Sequence, residues 1–394
     1  MAYINFKEEI YKAEIQLDKR MQNNTKLFNY IKERKNLSSK YNPDEVYSYK
    51  EFNSKIFGGG HSRLEEEFIE IIDLDIVCTK FINCKFSNIK FKNCRFIGCY
   101  FIECSFFGAG VTFEGCSFVK EESSTPPNLN KEDNLSCNFT LCEIYSKFYS
   151  CNLSYVIFDS CNINNTNFEL SYMRSMIIIN TDLKMIKIKD TDLSGIKIVN
   201  TYIEDFEFDD KDKSKLDEKA FIDKIKLRYK TRDEYEGIYQ VYENIADKFK
   251  ENNLGNNFGE YYFLCRKTQR KALKPIPRLI SLFGYLTCGY GERPSYTLIF
   301  SFVMILIFSI LYLIFGIIVD EKLIRYTSLQ GIEFRQFLKD FNESLNLSVG
   351  AFASVGVNEA TPAPMSYFIN NIEMILGLIL NGIGIGSLVK KIVR

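Results

Sequence analysis

The chain has a single histidine, His61, and no Cys-x-x-Cys pair among its twelve cysteines. With one imidazole and no telling pair of carboxylates, there is no nucleophile-and-base grouping to assemble, so the sequence is not read as an enzyme. An excess of charge is also lacking. Fifty Lys and Arg balance fifty Asp and Glu, which removes the global field that would draw the chain to nucleic acid. Residues 1–12 are charged and polar instead of a basic stub before an apolar core, so no secretory signal is read. His61 follows Gly58, Gly59 and Gly60, but no GxxxxGK[ST] motif is present, and these glycines are expected to form a linker and not a phosphate loop.

What the sequence does have is a period of five. Between residues 71 and 208 bulky apolar side chains recur at that spacing: Ile71, Ile76, Phe81, Phe86, Phe91, Phe96, Phe101 and Phe106, then Phe113 and Phe118, then Phe139 and Ile144, and finally an unbroken run from Leu153 to Phe208. A strand holds one face with period two and a helix with period 3.6, so five belongs to neither and requires a coil. Two residues before many of these centres stands a small side chain, such as Cys84, Cys94, Cys104, Cys142, Thr181 or Thr201. This pattern resembles the pentapeptide repeat family. The resemblance implies a right-handed quadrilateral β-solenoid with the central and small residues pointing inward.

Twenty-four pentads at four per turn give about six coils, which at ~4.8 Å per strand spacing is roughly 29 Å of tower. Nine of the ten repeat cysteines occupy the small position and Cys78 is the exception. They are read as core filler, without metal or redox chemistry, because free Cys behaves as a small hydrophobe. An insertion over 119–136, with Pro126 and Pro127, is expected to loop out. The solenoid's open ends need caps, and the helical stretches 5–38 and 231–252 are expected to supply them.

Beyond the solenoid, Thr231 and Glu234 announce a helix by a capping-box spacing, and Tyr235, Ile238, Tyr242, Ile245 and Phe249 form its apolar stripe. Gly255 is expected to end it, and residues 258–272 to form a second, increasingly basic segment. Such a hairpin either caps the solenoid or transmits movement from it. The resulting division is 1–60 N-terminal helical region, 71–208 solenoid, 209–275 helical coupler, 276–296 interfacial segment, and 297–394 pore domain.

Residues 297–319 are twenty-three in a row without a charge, which at about 1.5 Å rise each crosses a ~30 Å hydrocarbon core. A second stretch, 365–389, carries Glu373 as its one charge. An acid in such a segment marks a functional position. Arg266, Lys267, Arg270, Lys271, Lys274, Arg278 and Arg293 precede the first stretch and Lys390, Lys391 and Arg394 follow the second, which predicts a multi-pass plasma-membrane protein with both termini cytoplasmic.

Between the stretches lie an apolar segment, 345–353, and the run Ser354, Val355, Gly356, Val357, Asn358, Glu359, followed by Thr361 and Pro362. The order resembles the pore of the potassium-channel superfamily: outer helix, re-entrant pore helix, filter loop, inner helix. It implies a homotetrameric cation channel in a lipid bilayer, with Ser354 to Asn358 as selectivity filter and Glu359 at the pore mouth. Val357 and Asn358 depart from the family's Tyr and second Gly. The pore is therefore expected to discriminate weakly between permeant K⁺ and Na⁺, with no other cofactor. Glu373 either faces the cavity as a ring of acids or supports the filter through a hydrogen bond; Gly377 and Gly382 serve either as a hinge or as close-packing points. The run Gly289 to Pro294 is similar to one in pentapeptide-repeat proteins with a two-helix channel domain, and is not the filter because it precedes the first span. The gating stimulus and any ligand or protein partner of the solenoid are not legible. The alternative function is a membrane-anchored scaffold that conducts nothing; mimicry of DNA by the solenoid is disfavoured because acids and bases mix on its surface.

Overall fold

Each pentad centre is tied by a parallel ladder to the centre one turn away. Phe81 pairs with Phe101, Phe101 with Phe139, and Phe139 with Phe158. The rings of Phe81 and Phe101 stack at 5.0 Å and those of Phe101 and Phe139 at 4.5 Å, in the range favoured for aromatic pairs. The other three sides carry matching stacks: Phe86 on Phe106 at 4.8 Å, Phe91 on Phe113 at 5.2 Å, and Phe96 on Phe118 at 5.0 Å. Each ring is withdrawn from solvent and contributes roughly 1.5–3 kcal/mol. The result is a four-sided β-solenoid.

This computed structural model describes residues 3–59, 67–120, 134–326, 333–355 and 359–393. The chain divides into two compact units, Met1–Ala272 and Leu273–Arg394. In the first unit an eight-stranded parallel sheet makes one side of the solenoid. Longer strands such as Lys85–Lys92 carry two successive centres, Phe86 and Phe91, and bend between them at Asn88, whose φ is 49°. Asn83 and Asn93 hold the same left-handed conformation three residues before their centres, where Asn is better tolerated than most side chains. Gly98, Gly115 and Gly195 fill that position elsewhere; a Cβ on Gly98 would meet the Leu135 side chain at 2.9 Å.

The solenoid makes about seven turns, one more than the period of five predicts, since coil residues extend past both expected limits. On the N-terminal side Phe52 stacks on Phe81 at 5.5 Å and Phe57 on Phe86 at 5.0 Å, so residues 51–58 form strands within the region expected to be helical. Gly58 is therefore no linker: a Cβ on it would lie 2.1 Å from the Ser87 carbonyl. On the C-terminal side Phe221–Ile222 completes the sheet against Lys197–Val199, and Leu216 and Ile225 are buried in the core. Part of the expected coupler thus belongs to the last coil. His61 and most of the insertion, 121–133, lie outside the described residues.

At the small positions the thiols bridge coils. The Cys104 thiol donates to the Phe81 carbonyl at 3.2 Å and the Cys142 thiol to that of Phe101 at 3.3 Å. In later coils hydroxyls take over, as Thr191 Oγ1 donates to the Phe168 carbonyl at 3.2 Å. Burial pushes the Cys116 and Cys137 thiols well above their ordinary range.

Helix α1 (Phe6–Arg34) does not cap an end, as had been expected of it. It lies along the outside of the eight-stranded sheet. Glu9 pairs with Lys197 at 2.8 Å, Arg20 donates to the Ser175 carbonyl at 2.7 Å, and Asn24 donates to Ser136 Oγ at 3.2 Å. Arg20 also donates to the Tyr155 carbonyl at 3.1 Å, on the coil between those of Ser175 and Ser136, and apolar contacts join these anchors: Ala13 packs with Ile177, Ile179, Val199 and Phe221, and Leu27, Phe28 and Ile31 with Val77, Cys78 and Ile97. Cys78 departs from the inward pattern because it points outward, under α1. At the C-terminal end the cap is α2 (Arg232–Glu251), as expected of 231–252, together with α3 (Gly255–Ala272). Asn244 donates to the Phe206 carbonyl at 2.9 Å, the Tyr242 hydroxyl accepts from Ile225 N–H at 2.8 Å, and the Tyr261 hydroxyl donates to the Ile222 carbonyl at 2.9 Å. Gly255 begins α3 and does not end α2. The capping box is half formed. Thr231 accepts from the Glu234 N–H at 3.3 Å, but the Glu234 carboxylate turns to the N–H groups of Arg228, Tyr229 and Lys230 at 2.6–3.0 Å.

Candidate functional site

The second unit is built on two helices long and apolar enough to cross a membrane: α5 (Pro294–Phe315), preceded by α4 (Pro275–Cys288), and α7 (Tyr367–Val393). Most of their apolar surface is uncovered within the chain; Leu298 is 70% exposed and Leu378 71%. A soluble core helix would not be left that way. Between them, α6 (Phe334–Ala353) is twenty residues long and begins eleven residues before the apolar segment expected there. It packs against both α5 and α7.

Glu373 joins the three helices. It is fully enclosed and accepts a hydrogen bond from the Tyr312 hydroxyl of α5 at 2.7 Å and another from the Ser348 hydroxyl of α6. Ser348 Oγ also approaches the Ile305 carbonyl at 3.0 Å, and Tyr312 the Asn370 side chain at 3.1 Å. Its carboxyl is thus enclosed by its own chain, between α5, α6 and α7. A buried acid is tolerable only where such donors meet it. Tyr312 and Ser348 were not singled out from sequence, although a hydroxyl inside an apolar helix must find a partner, and that was the available signal.

One turn further along α7, Gly377 packs directly on the end of α6. A Cβ on Gly377 would sit 2.1 Å from the Phe352 carbonyl oxygen, so this glycine is a close-packing point. A Cβ on Gly382 would meet nothing within 4 Å. At the C-terminus of α6, Ser354 turns left-handed with φ 55° and ψ 32°, and Val355 N–H donates to the Gly350 carbonyl at 3.0 Å. Ser354, Val355 and Glu359 are exposed. Gly356, Val357 and Asn358 lie outside the described residues. The chain returns through Thr361–Pro362, which pairs antiparallel with Ile317–Ile318 just past α5. At the other end of the helices Glu292, in the Gly289 to Pro294 run, is buried and pairs with Lys390 of α7 at 2.6 Å. Sequence reasoning also missed this pair, since its members are far apart along the chain.

Residues 81–121 match the family model described as pentapeptide repeats. Among curated proteins there is no match. Among solved structures, a trypsin-treated form of QnrB1, a plasmid-mediated fluoroquinolone resistance protein, is 19% identical over 42% of this chain and 73% of its own, with a TM-score of 0.16. HetL, a pentapeptide repeat protein involved in heterocyst differentiation regulation from the cyanobacterium Nostoc sp. strain PCC 7120, is 9% identical over 41% of this chain and 74% of its own, at 0.20. Rfr23 from the cyanobacterium Cyanothece 51142 is 11% identical over 34% and 91%, at 0.15. TM-scores of that size carry no argument; the solenoid rests on its own register.

Proposed function

We propose that this pentapeptide-repeat protein is held in a membrane by α5 and α7, and that its second unit is one quarter of a homotetrameric pore for monovalent cations. The observation that carries the reading is α6. Two spans that only anchored a solenoid would have no use for a twenty-residue helix packed against both of them. Here that helix is pinned by Glu373 and Gly377, and its C-terminus leads straight into the Ser354 to Asn358 run. In a tetramer the irregular backbone after α6 would face a water-filled axis, which is where such backbone is tolerated at membrane depth. The Ser354 and Val355 carbonyls and those of the residues following would replace part of a cation's hydration shell, and Glu359 would concentrate cations at the mouth. Glu373 supports this loop from behind. Both termini are placed on the cytoplasmic side of the plasma membrane by the flanking bases.

The test is single-channel recording of the purified protein in planar bilayers under bi-ionic gradients, with native mass measured in parallel. We expect a tetramer that passes Na⁺ and K⁺ with similar ease. Gly356→Ala should stay tetrameric and fall silent, because a Cβ would obstruct the carbonyl arrangement; a variant that conducts like the wild type removes Ser354 to Asn358 from the filter. A second reading, a membrane-anchored scaffold, is favoured by the position of the family match within the solenoid. A silent, membrane-inserted monomer would establish that reading in place of the pore.

A further inference from the structure

The pore reading uses α5, α6 and α7; α4, in the segment expected to be interfacial, takes no part in it. α4 has fourteen residues with Arg278 as its one charge, so at about 1.5 Å per residue it falls well short of a ~30 Å hydrocarbon core. Thr287 is its one buried residue. Ile276, Leu279 and Ile280 are 66–73% exposed, and Phe283 is 47% exposed. An apolar helix this bare needs an apolar cover. It runs through the Gly289–Gly291 turn directly into α5, and Phe283 touches Phe300 of α5 with ring centroids 6.3 Å apart.

The charges next to it in the sequence are of one sign as far as Glu292, which is buried and paired with Lys390. Residues 261–291 contain no Asp or Glu but six bases, of which Arg266, Lys267, Lys271, Lys274 and Arg278 are exposed. A protein surface or a second copy of this chain could cover the apolar side chains, but would also have to bring acids to the exposed bases, and this chain carries no excess of them. A leaflet with anionic headgroups satisfies both, with acyl chains against Ile276, Ile280 and Phe283 and headgroups against the bases. We infer that α4 lies in the headgroup boundary of an anionic leaflet and binds negatively charged lipid there, an inference that rests on α5 being a span.

The chain has no tryptophan, so one introduced residue reports its own depth. Full-length Phe283→Trp would be reconstituted in vesicles of phosphatidylcholine, or of phosphatidylcholine with phosphatidylserine, each with bromine on the acyl chains as quencher. Leu298→Trp, inside α5, serves as the second reporter. The expected result is quenching of Phe283→Trp at least about twofold stronger with phosphatidylserine, returning to the phosphatidylcholine level when Lys271, Lys274 and Arg278 are all replaced by Gln. Leu298→Trp should be quenched equally in every vesicle. Equal quenching of Phe283→Trp in both lipids, or no response to the three Gln replacements, overturns recognition of anionic lipid. Leu298→Trp quenched while Phe283→Trp is not means that protein, not lipid, covers α4. If neither is quenched, the membrane reading itself fails.

Discussion

At the inward small position of the solenoid, a thiol and a hydroxyl meet the same demand: little volume and one donor for a carbonyl of the neighbouring coil. Cys142 reaches the Phe101 carbonyl as Thr191 reaches that of Phe168. We therefore expect Cys142→Thr to change stability by less than about 1 kcal/mol, and Cys84→Ala or Cys99→Ala to cost roughly 1 kcal/mol for a small cavity, measured by urea unfolding followed by circular dichroism. A second residue-scale expectation concerns Asp210. Burial would raise its pKa, but hydrogen bonds from Lys248 and Ser214 more than offset this and hold the carboxyl below its usual range. Lys248 lies 2.6 Å away. A depressed carboxyl contributes stability above its unfolded pKa of about 3.9, and that stability is lost as the pH falls through the lower folded value. The melting temperature of the wild type should therefore drop below about pH 4. Asp210→Asn should already be destabilised at pH 7 and lose less on acidification.

Among elements, α7 is fixed by two contacts of different kinds. Gly377 allows the helix backbone to touch the end of α6, and Gly377→Ala should force them apart at a cost of about 1–3 kcal/mol. Gly382→Ala, with open space around it, should leave thermal stability in detergent unchanged. Equal effects of the two would mean that Gly377 is not a packing point. Glu373 supplies the polar contact. Glu373→Gln keeps an acceptor for one of the two hydroxyls and offers the other an amide N–H to accept from, whereas Glu373→Leu removes their shared partner and leaves them only the longer contacts to Asn370 and Ile305, a loss of about 1–3 kcal/mol. The Leu variant should melt well below the Gln variant. At this same scale α1 had its place hidden from sequence. Its helical character is plain, and Asn5 caps it by accepting from Glu8 N–H at 3.5 Å, but its docking face depends on Ile177, Ile179 and Val199, which are outward residues of two pentads on different coils.

For the whole molecule, stoichiometry is the expectation on which the functional reading turns. A homotetramer by native mass, with conduction lost in Gly356→Ala and the mass kept, would join the solenoid to a pore. A stable monomer or dimer would instead favour the anchored scaffold.

The sequence by itself determined the solenoid, because a five-residue period leaves no other regular backbone, and it located both apolar helices, because hydrophobic length is a local property. The extra turn escaped it. In that turn Phe52 and Phe57 are cut off from the main run, and Phe221 and Ile222 follow a stretch where the period lapses; only stacking and ladder register identify them as coil. The filter-like run was legible as a motif, but the residues behind it were not. Glu373, Tyr312 and Ser348 stand up to 61 positions apart, and no periodicity links them. Tertiary packing decided that they meet, since a carboxylate carried into an apolar helix bundle must find donors wherever the fold can bring them.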